Sequence, residues 1–471
     1  MKIKHSDITI KEDDPFENCK LNRKIYAEIL TNIVETYPEG FVLGINNEWG
    51  TGKTTFVKMW QQLLNNQGYK TLYFNAWEND FDKNPLVAII SELKILTNPS
   101  NEKIFKSVMQ KGSILAKSIL PALLKGVTKK YIDTDIVLEA IENTTKGMTD
   151  IFEEEIQEYS NKKQSVNEFR TELEEFIKKS SSNKPLIFII DELDRCRPNY
   201  AVEVLEQIKH LFSVNGIVFV LSIDKIQLGY AIRGVYGNDN INSDEYLRRF
   251  IDLEYSIPTP STNVFCEYLY HYYSFDDFFS SSERIKTSEF KNDKEQFLKM
   301  ASLLFLKTNI TLRQQEKIFG YTRLILNSFP KRNYVFPHLL FVLIYIKVIK
   351  SDLYSRIENN AILLQELSDE YSELLPNNLQ DKDLYGINLL YIEALLLYFY
   401  NNQQGRLKRN LFEVNTDGKV IYKIESKLEK KINQTTLAAC IESISRSWNL
   451  DDVQITYLLN KINLTEPMVL L

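Results

Sequence analysis

Two short strings carry the chemistry of this chain. The first, Asn47-Glu48-Trp49-Gly50-Thr51-Gly52-Lys53-Thr54, stands between an apolar run and a helical pattern, with Thr55 following. It has the form of a loop that grips phosphates, G-x-x-x-x-G-K-[ST], with Asn47 in place of the first glycine. Each residue type has a physical task. Gly50 and Gly52 lack a Cβ, so successive backbone N–H groups can turn toward one anion. A helix opening near Lys53 adds unpaired N–H groups and the positive end of its dipole. Lys53 would reach the β- and γ-phosphates, and the Thr54 hydroxyl would ligate Mg²⁺. Asn tolerates left-handed backbone better than most non-glycine residues, so Asn47 is expected to preserve the turn.

The second string is Asp191-Glu192, at the end of the apolar run Leu186–Ile190. Asp191 would hold Mg²⁺, directly or through water, and Glu192 would polarise an attacking water. In the continuation Leu193-Asp194-Arg195-Cys196-Arg197-Pro198, Asp194 and Arg195 read as an ion pair capping the next helix. Arg195 alternatively supplies charge to the nucleotide or to a neighbouring subunit. Asp224, closing a later apolar run, stands where a γ-phosphate sensor would; Ser222 competes, and strand alternation puts both on one side. Arg313 reads as a nucleotide contact from a later helix or as a salt-bridge former. Arg248 and Arg249 have the same two readings, with a neighbouring subunit as target. The guanine-reading order Asn-Lys-x-Asp is absent: Asn183-Lys184-Pro185-Leu186 lacks the acid. The expected nucleotide is ATP, with Mg²⁺.

Positioning these groups requires a sheet. Continuous apolar runs at 41–46, 71–77, 186–191, 216–224 and 249–258 read as strands buried on both faces. Helical patterns cover 54–67, with Phe56, Met59, Trp60, Leu63 and Leu64 on one face, and 201–212, with Val202, Leu205, Ile208 and Phe212 inward. Alternation with short loops predicts an α/β core around a parallel five-stranded sheet. About a hundred helical residues interrupt the rhythm, and Ser165 with Glu168 has the form of a capping box opening a helix. The expected division is a core of 1–100 and 181–261, a helical insertion at 101–180 and an α-helical C-terminal region at 262–471.

The chain has 471 residues and a net charge of -6, which argues against nucleic-acid binding over the whole surface and leaves only local patches. Such patches are the lysines of 101–130 (103, 106, 111, 117, 125, 129 and 130) and the cluster Arg406, Lys408 and Arg409. The lysines read as a solvated helical face or as a contact for an acidic partner or membrane surface. Four scattered cysteines fit a reducing compartment, and the four histidines lack metal-ligand spacing. The polar start MKIKHSDITIKEDDPFE predicts no secretory leader, and no apolar run approaches the ~20 residues of a membrane span. The segment 334–346, YVFPHLLFVLIYI, reads as a core helix. A cytoplasmic location is expected.

The strings NNEWGTGKTTFVKMW, YFNAWEND, FIIDELDRCRP, EQIKHLF, FVLSIDK and YLRRFIDLEYSIP resemble the KAP family of P-loop NTPases, a group that includes PifA-type phage-exclusion proteins. The resemblance covers roughly residues 10–350. It implies an additional-strand core, Glu192 as water activator, and a bacterial anti-phage setting in which a separate effector protein is the partner. Relatives often carry transmembrane helices between the two motifs; here lysines interrupt the only apolar patch of the insert. Asn75-Ala76-Trp77 matches a family motif, while Trp77 also reads as packing at a strand end. Three functions remain open: an ATPase switch, a nucleic-acid-directed motor or loader, and a nucleotide-binding scaffold that hydrolyses little. A finger acting between subunits would require a homo-oligomer.

Overall fold

Five apolar runs of the first half become one parallel sheet: β1 (Val42–Asn46), β2 (Thr71–Asn75), β3 (Leu186–Asp191), β4 (Ile217–Ile223) and β5 (Leu253–Tyr255), in the order β2-β3-β4-β1-β5. In this computed structural model the described residues are 8–81, 84–118, 147–181, 184–238, 240–307, 310–377, 379, 388–409, 411–414, 420–429, 431, 436–446 and 450–464. β4 stands between β1 and β3, the additional-strand arrangement. Register brings the strand ends level: Asn46 lies opposite Ile223, and Ser222 opposite Asp191. The loops that follow β1, β3 and β4 therefore meet at one edge. The run at 249–258 contributes only Leu253–Tyr255. The amides of Arg248, Arg249 and Phe250 are drawn into helical turns by the carbonyls of Asp244, Tyr246 and Leu247.

Alternation along each strand divides the core. Ile187, Ile189, Val218 and Val220 pack against α1 (Lys24–Thr36) and α2 (Lys53–Asn66), which bury Leu30, Phe56, Met59 and Trp60. The Trp60 indole donates to the Thr31 hydroxyl at 3.0 Å, tying the two helices together. Leu186, Phe188, Ile190, Phe219 and Leu221 face the other side. There they meet α3 (Pro85–Leu93), α4 (Glu102–Ser118), α5 (Gly147–Ser180), α6 (Pro198–His210) and α7 (Lys225–Tyr236). Helix α6 begins three residues before the apolar pattern because Pro198 sits in its first turn, where a missing N–H costs nothing.

The interrupting segment seals that second face. Phe105 of α4 stacks near Phe176 of α5 at 5.2 Å, and Phe169 meets Phe212 edge-on at 5.8 Å. Ser165 and Glu168 do not open a helix. They lie within α5, where the Ser165 hydroxyl donates to the Asn161 carbonyl one turn back, at 2.9 Å. Lys103 and Lys106 are exposed, and Lys111 pairs with Glu168 at 3.0 Å. Lys125, Lys129 and Lys130, and the side chain of Lys117, lie outside the described residues.

The chain divides into compact units at Thr259 and Pro260. The second unit is mainly helical. Its central helix, Pro337–Ile349, is buried from Pro337 through Ile346, as a core helix should be. Phe297 gathers Phe275, Phe319 and Phe341 at 4.9, 5.4 and 5.2 Å. Two short antiparallel strands, Phe412–Val414 and Val420–Tyr422, are an addition to the helical expectation. Among the described residues, no helix is long and apolar enough to cross a membrane.

Candidate nucleotide site

Residues 47–52 join β1 to α2. Gly50 and Gly52 both have φ of +82°, the left-handed region in which a Cβ is unwelcome. A Cβ on Gly52 would also lie 2.9 Å from the guanidinium of Arg23. Arg23, only 4% exposed, donates to the carbonyls of Thr51 at 2.7 Å and Gly52 at 3.1 Å. In a trans peptide the C=O and the following N–H point opposite ways. Fixing these two carbonyls on Arg23 therefore turns the N–H groups of Gly52 and Lys53 away from it, as an anion cradle requires.

Asn47 does not adopt left-handed backbone. Its role is different from the expected one: the side-chain amide donates to the Ile257 carbonyl and accepts from the Ile257 N–H, both at 2.9 Å. The residue in the first-glycine position thus staples the loop to the chain beyond β5. Glu48 is exposed, and its carbonyl accepts from the Thr51 hydroxyl at 2.8 Å. Trp49 bridges outward, its amide donating to Asp224 at 3.2 Å and its indole N–H to Asp194. Thr54 and Thr55 sit half-buried in the first turn of α2.

Lys53, 8% exposed, donates to the carbonyls of Asn47 and Glu48, the latter at 3.1 Å. Burial lowers its pKa from the usual value, while Asp194, Asp224 and Asp191 oppose that by favouring the charge. Lys53 and Asp191 thus share one electrostatic neighbourhood, although Lys53 opens the helix after β1 and Asp191 ends β3, with β4 between those two strands. Asp194 is itself raised by burial and lowered by the Trp49 hydrogen bond and Lys53. Asp224 caps α7, accepting from the amides of Ile226 and Gln227 at 3.2 Å. Ser222 is fully buried, and its hydroxyl oxygen has no hydrogen-bond partner.

Asp191, 1% exposed, accepts from the Tyr73 hydroxyl at 2.9 Å and the Glu192 amide at 3.0 Å. Burial and Asp191 push the Tyr73 phenol well above its ordinary range, so it stays a donor. Glu192 has φ of +60°, a conformation costing about 1–3 kcal/mol in a non-glycine residue. Its carboxylate lies between Arg195 at 3.0 Å and the Asn75 amide at 3.4 Å. Burial raises its pKa and Arg195 lowers it. Asp194 and Arg195 do not pair with each other: the first turns to Trp49 and Lys53, the second to Glu192 and the face of Trp77, 5.4 Å away. Cys196 is a buried thiol whose pKa burial pushes up, unsuited to attack.

The outlying arginines have other surroundings. Arg248 is exposed and pairs with Glu245 at 3.2 Å, and the Arg249 carbonyl accepts from Lys209. Arg313 belongs to the second unit, exposed at the start of Leu312–Leu326, a helix opened by a Thr311–Gln314 capping box. Arg23 and Tyr73 stand outside the two strings that carry the chemistry. Nothing in the spacing of Arg23 ties it to the loop, whereas Tyr73 shares the face of β2 that carries Asn75, opposite Asp191.

The donors suit Mg²⁺. Among the described residues, no group of three or more His, Cys, Asp or Glu could cage a metal. Mg²⁺ needs no such cage: it keeps waters and takes one or two protein oxygens plus phosphate. Asp191 and Thr54 could supply those oxygens, beside a loop in which Gly50 and Gly52 both have positive φ.

A parallel sheet with an added strand between phosphate loop and acidic strand, and that loop at a helix N-terminus, defines a P-loop NTPase. Residues 22–326, more than half of the chain, match the KAP family P-loop domain, and the chain belongs to that family. No curated protein matches it. Among solved structures it is similar to the Aeropyrum pernix ORC2 protein, determined as ADPNP–ADP complexes. That likeness has 13% identity and a TM-score of 0.28, over 94% of this chain and 86% of that one.

Proposed function

We propose that the chain binds ATP with Mg²⁺ on the 47–55 loop and hydrolyses it, using the cycle as a conformational or assembly switch. The observation that supports this reading best is the buried cluster of Lys53 with Asp191, Asp194 and Asp224 beside a loop of left-handed glycines. The loop N–H groups and Lys53 bind the phosphates. Asp191 and Thr54 hold the cation, which when bound neutralises charge on the β- and γ-oxygens. Tyr73 keeps Asp191 oriented, and Asp224 serves by fixing the Trp49 amide. Glu192 takes the proton of the attacking water. The reading of Arg313 as a nucleotide contact rests on sequence alone.

The PifA-type resemblance supports a cytoplasmic role in bacterial anti-phage defence. No nuclease, protease or deaminase constellation is evident in the sequence, so a partner effector would supply that chemistry. Phosphate release by wild type, Lys53→Ala, Asp191→Asn and Glu192→Gln tests the assignment. Mg²⁺-dependent turnover lost in all three variants is expected; wild-type turnover that survives all three refutes it.

A further inference from the structure

The loop after β2 and the loop after β3 are joined by three contacts in step. Asn75 donates to Glu192 at 3.4 Å, Trp77 lies 5.4 Å under the guanidinium of Arg195, and Asp80 accepts from the Arg197 amide at 2.9 Å. Asn75 also caps the short helical turn Ala76–Asn79 that follows its strand, accepting from the amides of Trp77 and Glu78. The residue that touches Glu192 thus also sets the direction of Trp77. Each carboxylate oxygen of Glu192 has a partner, Arg195 on one and Asn75 on the other. Trp77 is 50% exposed, which is unusual for an indole serving only as packing at a strand end.

We propose that Trp77 and Arg195 form a clasp on Glu192, holding its carboxylate in an ion pair so that ATP turnover is restrained until the clasp opens. The proposal rests on the hydrolytic reading above. A carboxylate that is to orient an attacking water must be able to turn toward it. Arg195 on one oxygen and Asn75 on the other fix the direction of the Glu192 carboxylate, and the charge-assisted bond to Arg195 is the stronger of the two holds. The indole face holds Arg195 in that position by cation–π attraction. Trp77 and Arg195 are therefore positioning residues: they act on the reaction through Glu192.

The test uses the full chain with Trp77→Ala, Trp77→Phe, Arg195→Met and the Trp77→Ala/Arg195→Met pair. Two readouts are taken: steady-state ATP turnover, and the rate at which phenylglyoxal modifies Arg195, followed by peptide mass spectrometry. Trp77→Ala should raise kcat about two- to fivefold, the factor given by one half-exposed cation–π contact, with KM for ATP unchanged. Arg195 modification should accelerate by a similar factor. Trp77→Phe should stay near wild type, and Trp77→Ala should add nothing in the Arg195→Met background. An unchanged modification rate in Trp77→Ala overturns the clasp. Faster modification with kcat unchanged or lower, or an equal effect of Trp77→Ala in both backgrounds, overturns the restraint. If wild type and Trp77→Ala bind ATP without turnover, the hydrolytic reading fails, and the modification rate still decides whether Trp77 holds Arg195.

Discussion

Arg23 is a cation on the far side of the proposed phosphate loop. It holds the carbonyls of Thr51 and Gly52, so the loop amides face the other way. Arg23→Met leaves the Thr51 carbonyl without this donor and the Gly52 carbonyl with the Phe56 amide alone, at a cost of about 1–3 kcal/mol. ATP affinity measured by calorimetry should fall about tenfold or more, although the side chain touches the loop only from behind. Glu192→Gln should keep ATP binding and lose about 10²–10⁴ of the turnover, the usual contribution of one acid–base group. Much of this site was legible in the sequence, because a phosphate loop constrains backbone and residue type locally. Lys53 and Thr54 were read from that constraint, and Asp191 from its place at the end of an apolar run. Arg23 does not, since its partners lie 28 and 29 residues away and nothing local announces them.

At the scale of elements, Asn47 corrects the local reasoning. A left-handed requirement would make glycine the better residue there, yet the Asn47 amide is a two-way link to Ile257. Asn47→Gly should therefore destabilise the first unit by about 1–3 kcal/mol in urea unfolding, instead of improving the loop. The five strands were readable as apolar runs, whereas the placing of β4 between β1 and β3 was implied by the family resemblance alone. The Ser165–Glu168 pattern misled because a capping box and an uninterrupted helix share the same residues. Only the i−4 bond to Asn161 separates them.

In the second unit, Glu393 sits fully buried in Leu389–Gln403, accepting from the hydroxyls of Ser368 and Ser426. Burial pushes its pKa from 4.5 up to about 7. Between those values the folded state keeps a proton that the unfolded chain has lost. Stability from this group is therefore full below the unfolded value and declines as pH rises toward 7, by up to about 3 kcal/mol. Glu393→Gln should abolish that decline in denaturant midpoints measured from pH 5 to pH 8. A wild-type midpoint that does not fall across this range would contradict the assignment.

For the molecule as a whole, charge bears on function. A net charge of -6 supplies no general attraction for phosphate backbones, so duplex DNA should not bind at physiological salt. Binding with a steep salt dependence would instead favour the motor reading. The division at Thr259 and Pro260 falls within the string Pro258-Thr259-Pro260-Ser261, and the short strand pair beyond residue 411 was not legible in the sequence. Three-residue strands are too brief to show a periodicity. Every role proposed for the site requires nucleotide uptake by the loop at Lys53. Calorimetric titration of the full chain with ATP and Mg²⁺ should give saturable binding that Lys53→Ala abolishes or weakens at least tenfold. No heat of binding in the wild type, or equal binding in Lys53→Ala, would contradict it.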